Sequence, residues 1–379
     1  TNAFPEKIEE LFDKTIPTGI KHGTVTVLIN KTPYEVTTYR VDGEYLNNRK
    51  PKDVKFVSNI EEDLSRRDFT INAMAYSPYL GFKDCFNGKE DLKNKLIRCV
   101  GDPDKRFSED ALRMLRAIRF SCQLNFKIEK LTAESIRKNF KLVKNISMER
   151  IQSEFTKIIL SNEPDRGLML LRKLGFSDFL VKEFKNLKLI NCYDLYDDIH
   201  DTYGLINSLP KKLHVRLAGL FYKVFNSENA VEKCRTILKK LKYDNNTISD
   251  TCNLVENINS ISCNMTRKKL KLLINSVGTE NIFDLLDLQK SYLSYMDEYD
   301  TECIDILKNR VSDILASKEP IFIKDLAITG NDLITELNFK PGKNIGVILN
   351  FLLENVMQTP ELNNKEDLLN LSKQFYSYN

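Results

Sequence analysis

Every segment that reads as a strand lies in the first hundred residues, and from about residue 90 onward the sequence reads as helix. "GTVTVLI" (23–29) and "YEVTTYRV" (34–41) are β-branched, alternating runs, and the short "NKTP" between them predicts a hairpin. "DVKFV" (53–57) is a third strand candidate, and "GFKDCFNG" (81–88) is a short strand or turn. Beyond these, apolar residues recur at three- and four-residue spacing with few glycines. Helix breaks are expected near Pro164, Pro210, "YDNN" (243–246), Pro320 and Pro341–Gly342. The outline is a small α+β head followed by a long all-helical remainder, with no internal repeat and no low-complexity linker.

At 379 residues the chain exceeds one ordinary core, so two to four modules are expected. A hydrophobic share of 42% with 29% charged residues describes a folded, soluble protein. No apolar run approaches the roughly 18 residues of a spanning helix, and no secretory signal opens the sequence. The eight cysteines are scattered singly, without a C-x-x-C pair, which reads as buried thiols in a reducing cytoplasm rather than zinc ligands or disulfides. A net charge of +4 makes the whole molecule no strong polyanion binder. Any nucleic-acid site must come from local clusters such as "NNRKPKDVK" (47–55), Arg66–Arg67 and the arginines of "SEDALRMLRAIRF" (108–120).

On a helical wheel, Ala111, Met114, Leu115 and Ile118 of that last stretch face a core. Glu109, Asp110, Arg113, Arg116, Ala117 and Phe120 fall opposite. Asp110 and Arg113, three apart, sit side by side. On spacing alone they form an exposed ion pair worth a few tenths of a kcal/mol. The alternative is chemical. A carboxylate beside a guanidinium matches the amine-plus-ring-nitrogen edge shared by cytosine and adenine, and leaves uracil and guanine with unpaired polar groups. "SRRDFTINAMAYSP" (65–78) reads as a helix that stops at Pro78, with Ser65 as N-cap and Asp68 at the third helical position. Arg66 and Arg67 then oppose the macrodipole, which suggests an anion such as a triphosphate, while Asp68 and Asn72 share a face and could reach ribose hydroxyls. Glu35, opposite Tyr34 and Val36 on its strand, is a solvated carboxylate unless further acids join it to hold a metal.

In order, "YEVTTYR", "RRDFTINAMAY", "FKDCFNGKEDLKNKLIRCVGDPDKRFSEDALRMLRAIRF" and "SMERIQSEFTKIIL" resemble the tRNA nucleotidyltransferases of bacterial and eukaryotic type, the CCA-adding enzymes related to bacterial poly(A) polymerases. The segment 323–369 resembles the tail of bacterial members, and 165–320 matches weakly. The resemblance implies an α+β nucleotidyltransferase head, here an incomplete mixed sheet, followed by all-α neck, body and tail. The expected boundaries are 1–98 for the head, 99–162 for the neck with the base-recognition helix, 163–262 for the body and 263–379 for a tRNA-binding tail. It implies addition of C, C and A to tRNA 3′ ends from CTP and ATP, with release of pyrophosphate, by two-metal in-line transfer in the cytoplasm. Mg²⁺ is the implied cofactor and tRNA the partner, with no membrane and no obligate protein partner. Arg66, Arg67, Asp68 and Asn72 would contact phosphates and ribose. Glu109, Asp110 and Arg113 would read the base, with Asp110 and Arg113 as the pairing edge. Arg116 is counted with the nucleotide-binding set by charge, and Arg119 is left to charge or packing.

The segment 40–57, with Arg40, Asp42, Tyr45 and Arg49, corresponds to a flexible loop needed for the final A. Glu35 would be catalytic and the one metal ligand present, because the family's Asp-x-Asp and Gly-Gly-x-Val-Arg-Asp motifs precede the position where Thr1 begins; loss of that start is the expectation. In "FKPGKNIG" (339–346), Lys343 either touches tRNA phosphate or belongs to a plain turn. A His-Asp phosphohydrolase is not expected, since Tyr222 and Lys223 replace its ligands and His200 and His214 read as structural. The competing readings are a poly(A) polymerase or A-adding enzyme with the same head, and a non-catalytic tRNA-binding fragment.

Overall fold

The computed structural model describes residues 1–43, 45–46, 50–176, 204–224, 229–295 and 301–378. The chain divides into two compact units, Thr1–Asp197 with Lys240–Tyr243, and Asp198–Lys239 with Asp244–Asn379.

The first unit opens with α1 (Pro5–Leu11) and an antiparallel sheet in the order β1 (Thr15–Gly19), β2 (Thr24–Ile29), β3 (Thr32–Thr37). The predicted hairpin forms, its turn made by Asn30 and Lys31 at φ of 50° and 68°, as a tight two-residue connection requires. Strand alternation gives the sheet two faces. Val25 and Val27 are buried against Ile8, with Ala3 and Val36 packed alongside. The other face carries Thr24 opposite Thr37 and Thr26 opposite Glu35. Among the described residues this sheet has three antiparallel strands. The segment expected as a loop begins and ends as a ribbon, β4 (Arg40–Asp42) on β7 (Val54–Phe56), with β5 (Tyr45–Leu46) on β6 (Lys50–Pro51) between them.

Two helix expectations are corrected here. The first helix of this region, α2 (Ile60–Ser65), ends where the sequence suggested a beginning: Asn59 caps it by accepting from Glu61 N, and Ser65 is its last residue. Arg66 and Arg67 therefore sit at a helix C-terminus, where cations are favoured, and the conflict with the macrodipole disappears. Phe69 is extended, at φ −127° and ψ 149°, and forms an antiparallel bridge with Cys99, flanked by two backbone hydrogen bonds: Thr70 N donates to Arg98 O at 2.9 Å and Val100 N to Asp68 O at 3.1 Å. Phe69 and Ala73 are fully buried as a result. A single 3₁₀ turn (Thr70–Asn72) leads into β8 (Met74–Ser77), which pairs with β9 (Gly81–Asp84). Burial of Phe69 and strand pairing override the local helical spacing.

After α3 (Gly88–Lys93), strand β10 (Leu96–Ile97) makes a short parallel pair with β11 (Lys127–Ile128). Between them lies the second correction. "SEDALRMLRAIRF" is two helices, α4 (Pro103–Glu109) and α5 (Leu112–Leu124), with Asp110 extended at φ −134°, ψ 103°. The Asp110 carboxylate explains the break, since its Oδ1 accepts from Leu112 N at 3.1 Å and so occupies a free donor at the start of α5. One wheel cannot span such a joint. Met114, Leu115 and Ile118 are buried as placed, but Arg113 and Ala117, assigned to the outer face, are buried too.

Helices α6 (Lys130–Asn139), α7 (Met148–Ile159) and α8 (Pro164–Lys173) complete the described part of this unit apart from Lys240–Tyr243. Helix α5 packs against both α7 and α8. Arg119 pairs with Glu154 at 2.7 Å in that interface, both side chains nearly buried.

The second unit is helical: α9 (Leu213–Val224), α10 (Ala230–Lys240, its last residue in the first unit), α11 (Asn245–Asn257), α12 (Arg267–Val277), α13 (Ile282–Tyr295), α14 (Glu302–Ala316), α15 (Gly330–Leu337), α16 (Lys343–Gln358) and α17 (Lys365–Tyr378). The predicted breaks fall between elements: Pro164 starts α8, Asp244 of "YDNN" caps α11, and Pro341–Gly342 precedes α16. Cys263 and Cys303 form a disulfide with Cα atoms 5.5 Å apart, which corrects the expectation of free thiols. They lie 40 residues apart, and the fold supplies the proximity that spacing did not reveal. Cys192 lies outside the described residues. His214 Nε2 pairs with Asp284 Oδ2 at 2.8 Å, and Tyr222 donates its hydroxyl hydrogen to Asn259 Oδ1. His200 lies outside the described residues. Among the described residues, no helix is long and apolar enough to cross a membrane.

Gly167 of α8 lies where a Cβ would meet Ile158 Cγ2 at 2.3 Å and Cys122 Sγ at 2.9 Å. Gly167→Ala should therefore overpack the junction of α5, α7 and α8 and cost about 1–3 kcal/mol, read as a lower urea midpoint with an unchanged slope.

Candidate nucleotide-binding site

Between the threonine face of the sheet and the α4–α5 joint is a cleft of about 580 Å³ within the first unit. It is lined by Thr24 and Thr37, by Arg40, Arg66, Arg67, Arg113, Arg116 and Arg150, by Asp68, Asn72 and Asp110, and by Leu112 and Phe120. Six guanidiniums against two carboxylates make it a site for a polyanion.

The arginines are held by buried acids. Asp63, only 3% exposed, accepts from Arg66 Nη2 at 2.6 Å, from Arg67 Nη2 at 3.2 Å and from the backbone N–H of Arg40 at 3.3 Å. Arg66 also donates through Nε to the carbonyl of Arg40 at 3.0 Å, and its Nη1 lies 3.6 Å from Asp42 Oδ2. Burial alone would raise the Asp63 carboxyl; hydrogen bonding and charge from Arg66, the charge of Arg67 and the Arg40 N–H outweigh it and hold the group below its ordinary value. Asp68 accepts from Arg116 at 2.6 Å and from Asn72 Nδ2 at 3.2 Å. The 3₁₀ turn thus joins Asp68 to Asn72, as a helix was expected to do.

Arg113 is anchored on three groups. It donates to Glu109 Oε2 at 2.8 Å, to Arg106 O at 3.2 Å and to Arg66 O at 2.9 Å. Glu109 braces both Arg106, at 2.9 Å, and Arg113, and lines a neighbouring cavity of about 650 Å³ rather than the cleft itself. Asp110 lines the cleft, with its carboxylate held by Arg150 Nη2 at 2.8 Å.

The structure thus brings Arg66, Arg67, Asp68, Asn72, Asp110, Arg113 and Arg116 to one cleft, with Arg40 at its edge. Glu35 stands on the same sheet face as Thr37, exposed and outside the lining. Asp42 lines the neighbouring cavity. Tyr45 lies in β5, Arg49 lies outside the described residues, and Lys343 is the first residue of α16, in the second unit. Sequence reasoning missed Asp63, Arg106 and Arg150. Asp63 carried a readable sign, standing three and four residues before Arg66 and Arg67, whereas Arg150 carried none, because its partner Asp110 lies 40 residues away.

Comparison with known proteins follows this geometry. Family profiles described as "Poly A polymerase head domain", "RNA and SrmB-binding site of polymerase A" and "tRNA nucleotidyltransferase domain 2" match residues 1–98, 125–188 and 220–371. The CCA-adding enzyme of Ligilactobacillus salivarius is 35% identical over 385 residues, covering 98% of this chain and 86% of that protein. The chain belongs to the CCA-adding enzyme family. A Lactobacillus helveticus CCA-adding enzyme is 56% identical over 158 residues, covering 42% of this chain and 40% of that protein. The crystal structure of the Bacillus stearothermophilus CCA-adding enzyme in complex with CTP superposes with a TM-score of 0.78 at 27% identity, covering 100% of this chain and 88% of that one. The fold is therefore that of the family.

Asp63 makes the cleft sensitive to acid. Its folded value lies below 3.8, so its stabilisation is complete above that value and is lost as pH falls through the lower folded one. Asp63→Asn should cost about 3 kcal/mol near neutral pH. It should also flatten the fall of the urea midpoint below about pH 4.

Proposed function

We propose that the chain completes tRNA 3′ ends, transferring CMP twice and AMP once from CTP and ATP and releasing pyrophosphate, with this cleft as the nucleotide site. The observation that carries the reading is the α4–α5 joint. There, an aspartate and an anchored arginine project into a cleft otherwise walled by guanidiniums. The arginines on its α2 side, Arg66 and Arg67, together with Arg116, would neutralise a triphosphate, and Asn72 with Asp68 would take the ribose. Asp110 would accept from the exocyclic amine of C or A, and Arg113 would donate to the adjacent ring nitrogen. U and G present the reverse order and leave both side chains unpaired. Glu109 positions Arg113, and Arg150 positions Asp110.

The tRNA 3′-hydroxyl attacks the α-phosphate in line with the departing pyrophosphate, a reaction governed by positioning and by neutralisation of charge. Mg²⁺ is the metal we propose, with Glu35 as the ligand this chain offers. Among the described residues, no group of three His, Cys, Asp or Glu side chains could hold a metal ion. The segment 40–57, with Arg40, Asp42, Tyr45 and Arg49, is assigned to the step that adds A. Lys343, with the N-terminus of α16, is assigned to tRNA phosphate. A cytoplasmic setting belongs to the same proposal.

Two measurements test this reading. By titration calorimetry, CTP and ATP should bind at least about tenfold more tightly than UTP and GTP. Asp110→Ala with Arg113→Ala should erase that preference while the arginines retain most triphosphate affinity; persistence of the preference would sink the template. On a tRNA transcript lacking CCA, incorporation should proceed C, C, A and stop. Incorporation of A alone would make this an A-adding enzyme, and long A tails on unstructured RNA a poly(A) polymerase. Arg150→Ala, which frees Asp110 from its anchor, should reduce base selectivity without abolishing binding.

A further inference from the structure

The β8–β9 hairpin, which begins two residues after Asn72, carries an aromatic face that the fold leaves open. The antiparallel register puts Tyr76 directly opposite Phe82, and cross-strand partners share one face. Tyr76 is 72% exposed and Phe82 52%, while Tyr79 and Leu80 at the turn are 95% and 90% exposed. Rings are normally buried, so two of them aligned on one exposed face mark a contact surface. Its charge points to the kind of partner. Lys89 of α3 places its Nζ 5.6 Å from the centre of the Phe82 ring. The hairpin's acid, Asp84, is turned inward, accepting from the backbone N–H groups of Phe86 at 3.3 Å, Gly88 at 2.9 Å and Lys89 at 2.8 Å. Lys83 lies on the opposite face and is occupied by Glu61.

We propose that Tyr76 and Phe82, with Lys89, form a stacking platform for unpaired nucleotides of an RNA strand, the rings taking bases and the lysine a phosphate. Two adjacent ring faces with a nearby cation, and the hairpin's own Asp84 turned inward, are the combination that binds single-stranded nucleic acid. An apolar protein face or a second copy of this chain would gain from the rings but not from the lysine. The inference rests on RNA being the substrate, and the test separates the two.

Fluorescence anisotropy with a short unstructured RNA, and with a tRNA transcript lacking CCA, would compare the chain with Tyr76→Ala/Phe82→Ala, Tyr76→Phe/Phe82→Tyr and Lys89→Ala. The alanine pair should weaken the unstructured RNA on the order of tenfold, and the ring-preserving pair should not. Lys89→Ala should lower the slope of log affinity against log salt by about one. CTP affinity, measured alongside, should be unchanged in all three, because none of these side chains lines the cleft. If the unaltered chain binds neither RNA, the substrate reading falls and the platform with it. If it binds and the alanine pair binds equally well, the platform alone is wrong. A dimer in gel filtration that the alanine pair dissociates, with RNA affinity intact, would also overturn it in favour of self-association.

Discussion

A buried carboxylate that lacks a cation is among the most costly features a fold can contain, and this cleft is assembled from several that have one. Asp63 gathers Arg66 and Arg67, Asp68 takes Arg116, Glu109 takes Arg106 and Arg113, Asp110 takes Arg150, and Glu154 takes Arg119. The pairs of Asp63 and Glu109 are local, three or four residues apart, whereas Asp68–Arg116, Asp110–Arg150 and Glu154–Arg119 join segments that local structure would leave independent. The positive wall of the cleft is thus built from arginines held in place by acids, Arg66 and Arg67 by Asp63, Arg116 by Asp68 and Arg150 by Asp110. A triphosphate bound as proposed would meet guanidiniums whose positions were settled on folding, the condition for strong charge-assisted hydrogen bonds at little cost in order.

The two-faced sheet serves the same end. Val25 and Val27 close the core under α1, and the alternation that buries them turns Thr24 and Thr37 toward the cleft and places Glu35 on that same face. The helix joint at Asp110 does comparable work on the other side. A continuous helix would have kept Asp110 and Arg113 as surface neighbours. The break lets Asp110 start α5 while Arg113 is buried against the carbonyls of Arg66 and Arg106.

Much of this was legible in the residues. The β2–β3 hairpin, the third and fourth strand candidates and the helix breaks at Pro164, Asp244 and Pro341–Gly342 follow from side-chain alternation and turn chemistry, which act over a few residues. The cleft set from Arg66 to Arg116 was also legible, through ordered motifs and not through spacing. Two of the failures share a cause. The "SRRDFTINAMAY" helix and the free thiols of Cys263 and Cys303 were each undone by a partner distant in sequence, Arg98–Val100 and the far end of a 40-residue span, whereas the "SEDALRMLRAIRF" helix is broken locally, by Asp110 accepting from Leu112 N. Arg150 escaped notice for the distant-partner reason, since Asp110 lies 40 residues away, whereas Asp63 was within reach of spacing, three and four residues before Arg66 and Arg67.

By itself the sequence determined the α+β head with its helical continuation, the polarity of the sheet faces and the residue types needed to meet a nucleotide, because these depend on local periodicity and on side-chain chemistry. Only the tertiary structure decided the distant pairings, Arg116 with Asp68, Arg150 with Asp110 and Arg119 with Glu154, and that Asp110 faces the cleft. Pairing of buried charges is a contest among all the groups that packing brings within about 4 Å, and no one-dimensional spacing records who those neighbours are.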